Sequence, residues 1–133
     1  VRRRRLFVDC DDTLIIWEGA GDGPHPYGAG AEGYHVNEPL VRAIGALLQR
    51  NQDIDLFIWS GGGRGYAQTW ANEVHFDPEP TALAKDTGLV RAGDIVVDDM
   101  LASEVVSYRL PHGIFGFAPA AFIEWVEEGG EHD

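Results

Sequence analysis

Six side chains in this sequence combine a useful chemistry with a telling position: Asp9, Asp11, Ser60, Lys85, Asp98 and Asp99. Asp9 and Asp11 follow the apolar run Leu6-Phe7-Val8, Ser60 closes the run from Ile54 to Trp59, and Asp98-Asp99 close the stretch from Asp94 to Val97. Apolar runs that stop abruptly in polar residues read as buried strands whose ends face something other than the core. In a parallel sheet such ends lie along one edge, where function is expected. Carboxylates gathered there repel one another unless a cation neutralises them, and hard oxygen donors select Mg²⁺ in an intracellular site. Lys85, the only lysine, is expected to add positive charge to the same edge.

The elements that must position these groups alternate between the two periodicities. After the first strand, Thr13 to Trp17 is β-prone, and Glu18 to Asn37 is rich in Gly, Pro, His and Tyr, so a flap or loop is expected over about 14–37. Asn37 caps a helix with Pro39 in its first turn and Leu40, Val41, Ile44, Leu47 and Leu48 at helical spacing to about Arg50. Tyr66, Trp70 and Val74 predict a second helix, with a short strand over Val74 to Phe76. Thr81 to Thr87 reads as a short helix carrying Lys85, Ile114 to Phe117 as the last strand, and Pro119 opens a final helix burying Phe122, Trp125 and Val126. Strands alternating with helices over 1–133 predict one α/β domain, a doubly wound, three-layer Rossmann-like sandwich with a mainly parallel sheet.

The order of these residues resembles the haloacid dehalogenase superfamily from Phe7 to Met100. Its first motif, an apolar strand followed by Asp-x-Asp-x-Thr, matches Leu6 to Thr13; its second, a strand ending in Ser or Thr, matches Leu56 to Ser60. Its upstream lysine matches Lys85, and its strand ending in an acidic pair matches Ile95 to Asp99. The resemblance implies a Mg²⁺-dependent phosphomonoester hydrolase. Asp9 would be the nucleophile forming an aspartyl-phosphate, and Asp11 the general acid and then base. Asp9, Asp99 and the Asp11 backbone carbonyl would hold the metal, with Asp98 orienting; which of the acidic pair binds directly is open. Ser60 and Lys85 would bind the phosphoryl oxygens, with the Gly61 and Gly62 amides as a further cradle. Thr13 would stabilise the turn after Asp11.

Other residues carry plainer readings. Gly61 to Gly65 lacks the spacing of a dinucleotide fingerprint. Arg64 reads as an exposed loop charge, and His25, Tyr27, Tyr34 and His35 as surface packing ahead of a substrate entrance. Trp17, Trp59, Trp70 and Trp125 read as packing residues and Cys10 as an inert core thiol. The Arg2 to Arg5 run reads as a solvated tail.

Composition narrows the partners. A formal charge of −12 over 133 residues, with a pI near 4.6, makes nucleic acid a less favoured substrate than a phosphorylated small molecule or a phosphoryl group exposed on another macromolecule. A single cysteine fits a reducing, cytoplasmic setting, and three apolar residues after the basic run are too few for a secretory signal. No stretch has the length of a membrane span. A phosphoaccepting receiver domain shares the acids, hydroxyl, lysine and Mg²⁺, but presents its paired acids first and its lysine last. Phosphotransfer to another acceptor and a non-catalytic binding role are the remaining alternatives. Leu14 to Asn37 and Ser60 to Lys85 leave no room for a cap domain, so the site is expected to be open or closed by a partner subunit of a homo-oligomer.

Overall fold

A computed structural model of the chain describes residues 4–17, 33–99 and 114–129. Strand β1 (Arg4–Asp9) lies at the centre, with Leu6, Phe7 and Val8 fully buried, as a strand covered on both faces requires. It pairs in parallel with β4 (Ile54–Ser60) on one side and β6 (Ile95–Val97) on the other. β5 (Thr81–Ala84) extends the sheet beyond β4 and β7 (Phe115–Phe117) beyond β6, both in parallel, giving the order β5-β4-β1-β6-β7. The chain therefore builds outward from β1 in one direction and then returns to build in the other. The crevice at that reversal, between the carboxyl ends of β1 and β6, is where an open α/β sheet binds ligands.

Helix α1 (Glu38–Arg50) starts where Asn37 accepts the Leu40 amide on its side-chain oxygen at 3.3 Å, with Pro39 in the first turn. Its Leu40, Ile44 and Leu47 are fully buried, each worth roughly 1.5–3 kcal/mol of transfer free energy. Arg50 reaches α3 (Pro119–Glu127), donating to the Val126 and Gly129 carbonyls at 3.0 and 2.9 Å and so satisfying the end of that helix. α2 (Arg64–Val74) buries Ala67, Trp70 and Ala71. All three helices share one apolar cluster with Leu6, Val8, Leu56 and Ile58, while Phe7, Trp59, Val90 and Val96 form a separate cluster. The α/β parallel sheet agrees with the sequence reading. Among the described residues, however, the helices pack on one face only, and the connection from β5 to β6 holds a single 3₁₀ turn, Thr87–Leu89, in place of a helix.

Four local expectations are corrected. Thr81–Ala84 is a strand, because seven residues are too few to nucleate a helix unaided and the exposed edge of β4 offers backbone partners from Phe57 to Ser60. Val74 ends α2 and Phe76 is not in a strand, because His75 turns left-handed (φ 60°) with its amide bonded to the Ala71 carbonyl. Within the expected loop, Tyr34–Val36 forms β3, antiparallel to β2 (Ile15–Trp17), because two β-prone trios can satisfy each other's backbone groups by pairing. Arg4 and Arg5 belong to β1 and not to a tail: Arg5 grips the buried Asp94 at 2.6 Å. Arg2, His25 and Tyr27 lie outside the described residues. No described helix is long and apolar enough to cross a membrane.

Candidate active site

Register brings Asp9, Lys85, Asp98 and Asp99 together. Val8 is opposite Val97 and Ser60 opposite Ala84, so one further step along the parallel strands sets Asp9 beside Asp98 and carries Lys85 just past Ser60. Carboxylate oxygens of Asp9, Asp98 and Asp99 lie within 4.8 Å of one another. Lys85 Nζ stands between two of them, 2.5 Å from Asp98 Oδ2 and 3.4 Å from Asp9 Oδ1. The lysine is thus delivered by the end of an edge strand, not by a helix, and its amide donates to the Ser60 carbonyl at 2.9 Å.

Three acids against one ammonium leave the cluster short of positive charge. Burial, then the Asp98 charge, push the Asp9 carboxyl up to about 8 despite the pull of Lys85. Burial and the neighbouring Asp98 raise Asp99 to about 6. A divalent cation bound by these oxygens would reverse both shifts, so this donor set fits a hard cation.

The turn after β1 is tightly wound. The Cys10 carbonyl accepts the amides of Thr13, Leu14 and Ile15 at 3.3, 3.0 and 3.0 Å, and Asp12 takes a left-handed conformation (φ 59°) that a short polar side chain tolerates. Cys10 is buried in the core, where desolvation pushes its thiol up, consistent with no chemical role. Thr13 is fully buried, and its hydroxyl serves the end of β6 in place of the turn expected from sequence: it accepts the Asp99 amide at 2.9 Å, tying the acidic pair to the first turn.

Asp11 stands apart from the three clustered acids. Its Oδ1 accepts from the Tyr66 hydroxyl at 2.6 Å and from the Trp17 indole at 2.9 Å. Burial and then the bond to Asp11 push the Tyr66 phenol up, keeping it a donor. Neither partner was evident in the sequence. Trp17 read as packing and Tyr66 as one of a helix's apolar positions, since nothing in spacing alone aims a phenol at a carboxylate on another element.

Ser60 is buried, and its hydroxyl accepts the Gly62 amide at 2.9 Å. The Gly62 amide is therefore turned onto Ser60 and not outward as part of an anion cradle, because a buried hydroxyl needs a partner. A Cβ at Gly62 would sit 3.3 Å from Ser60 Oγ and 3.4 Å from the Tyr66 ring, so this turn needs a glycine for close approach. Gly61 is exposed at the rim, as is Arg64. Trp59 and Trp70 are buried and Trp17 and Trp125 partly so, in keeping with packing. Tyr34 also packs, its hydroxyl donating to Glu73 at 2.9 Å, while His35 is exposed.

A cavity of about 740 Å³ lies at the opposite edge, at the amino ends of β4 and β5 between Leu48, Phe57 and Pro78. It contains none of the clustered acids. No family model, curated protein or solved structure matches this chain.

Proposed function

We propose that the protein is a Mg²⁺-dependent phosphomonoesterase of the haloacid dehalogenase type, lacking a cap domain and working through an aspartyl-phosphate on Asp9. The observation that carries this reading is the juxtaposition of Asp9, Lys85 and the Asp98-Asp99 pair at the crevice where the parallel sheet reverses its order.

In the first step an Asp9 carboxylate oxygen attacks phosphorus, the bond from phosphorus to the ester oxygen breaks, and Asp11 gives its proton to that leaving oxygen. In the second, water attacks phosphorus, Asp11 takes the proton, and the Asp9 carboxylate departs with the bonding pair. Lys85 draws the Asp9 charge and the phosphoryl oxygens together, and the Ser60 hydroxyl, which accepts from Gly62, keeps its own proton to donate to one of those oxygens. Mg²⁺ held by Asp9, Asp99 and the Asp11 backbone carbonyl, with Asp98 orienting, would supply the charge that offsets the carboxylates against an incoming phosphate.

The substrate class that fits is a phosphate ester on a small molecule or an exposed phosphoryl group of a macromolecule, with nucleic acid less favoured because the chain is strongly anionic. Hydrolysis of 4-nitrophenyl phosphate with and without Mg²⁺, in wild type and Asp9→Asn, tests the reading. Activity that needs both Mg²⁺ and Asp9 supports it; equal activity in both proteins sinks it. A stable phosphoprotein without turnover would favour the receiver-like alternative.

A further inference from the structure

We infer that Tyr66 and Trp17 are positioning residues for Asp11, fixing one carboxylate oxygen so that the other is presented to the leaving oxygen of the ester. This rests on the proposed roles of Asp9 and Asp11.

Both donors converge on the same atom, Asp11 Oδ1, at 2.6 Å from the phenol and 2.9 Å from the indole. They come from different elements, Tyr66 from α2 and Trp17 from β2, so the carboxylate is held from two directions. Among the described residues no donor reaches Oδ2. Two donors converging on one carboxyl oxygen from different elements select one orientation of a side chain that would otherwise rotate on a partly exposed turn, whether or not the other oxygen carries a proton.

The donors are themselves braced. Trp17 packs edge-on against the fully buried Trp70 at 5.9 Å between ring centroids, and Tyr66 does so at 6.3 Å. Tyr34 closes the cluster, 4.9 Å from Trp70 and 5.7 Å from Trp17. Gly62 also lies against the Tyr66 ring, which a Cβ at that position would meet at 3.4 Å. The hairpin of β2 and β3 and the start of α2 are thereby locked together, with Asp11 as the polar group their donors meet. A residue that only filled the core would not need its hydroxyl aimed at the acid.

Tyr66→Phe keeps the ring and removes only the donor; Trp17→Phe removes the other donor from a separate element. The readout is kcat/KM, which covers the steps through departure of the leaving group, for an alkyl phosphate such as glycerol phosphate and for 4-nitrophenyl phosphate. An alkoxide needs the Asp11 proton, whereas nitrophenolate leaves nearly unaided. Each variant is expected to lose on the order of ten- to a hundredfold on the alkyl ester and less than about threefold on the aryl ester, as a displaced acid would. Equal losses on the two esters, or none on either, would overturn the positioning role while leaving Asp9 as nucleophile intact. A wild type without Mg²⁺-dependent turnover, or an Asp9→Asn variant with full turnover, would overturn both. Beryllium fluoride binding by Tyr66→Phe at wild-type strength is expected, and its loss would count against a role confined to Asp11.

Discussion

The amide of Asp99 donates to the hydroxyl of Thr13 at 2.9 Å across 86 positions of sequence. That bond joins the turn after β1 to the end of β6, the two strands whose ends carry the acids, and Thr13 has no exposure to water. Thr13→Val keeps the shape and strips the acceptor, leaving the amide unsatisfied at a cost of about 1–3 kcal/mol. Thr13→Ser is expected to keep most of the stability. Urea denaturation of the two variants checks this; equal midpoints would mean that the hydroxyl contributes nothing.

Stability and pH are linked through the acid cluster. Folding raises Asp9 to about 8 and Asp99 to about 6, so the native state binds protons more tightly than the unfolded chain. The associated stability is fully present below the unfolded carboxylate range, near pH 4, and is lost as pH rises through about 6 and then about 8. Without metal, the melting temperature is therefore predicted to fall across that window. The proposed Mg²⁺ site needs the acids deprotonated, so a stabilising effect of Mg²⁺ is predicted to be larger at pH 8 than at pH 5, with protons released on binding. Thermal melts in Mg²⁺ and in chelator at both pH values decide it, and a larger increment at pH 5 would contradict the assignment.

Beside the role proposed for it, Lys85 is placed to serve stability. Asp98 has no exposure and meets the ammonium at 2.5 Å, so Lys85→Met takes the positive charge from beside a buried carboxylate and is expected to cost about 3–5 kcal/mol. Adding Asp98→Asn should return much of that stability without returning phosphatase activity. A double variant no more stable than the single one would show that the pair does not couple.

A contrasting ion pair lies away from the crevice. Arg5 Nη2 approaches the buried Asp94 at 2.6 Å and also donates to the Leu89 carbonyl at 2.6 Å, fastening the turn before β6 to β1. Arg5→Met is predicted to destabilise by about 3 kcal/mol or more while leaving kcat at wild-type level below the melting transition. A selective loss of kcat in a stably folded variant would place Arg5 in the chemistry instead.

How much of this was legible in sequence follows from how local each cause is. Leu6-Phe7-Val8 before Asp9, and Asn37 with Pro39 before an apolar helix, state their structures within a few residues, so the carboxyl end of β1 and both ends of α1 were readable, while the start of β1 at Arg4 was not. Ser60 and the Asp98-Asp99 pair were placed for the same reason. Thr81 to Thr87 was misread as a helix because Pro80 before it and Gly88 after it look like helix punctuation, while the deciding cause is the open edge of β4, which no local pattern reveals. The pairing of Arg5 with Asp94 and the convergence of Trp17 and Tyr66 on Asp11 were hidden likewise. Each depends on the sheet first setting distant elements side by side.

The central claim, that Asp9 carries the phosphoryl group, is tested most directly by rapid acid quench of the protein turning over a phosphate ester, followed by peptide mass spectrometry. The account predicts a phosphoryl group on Asp9 in the peptide spanning β1, formed in Mg²⁺ and absent in Asp9→Asn. Turnover with phosphate found on another residue, or on none while Asp9→Asn remains active, would contradict it.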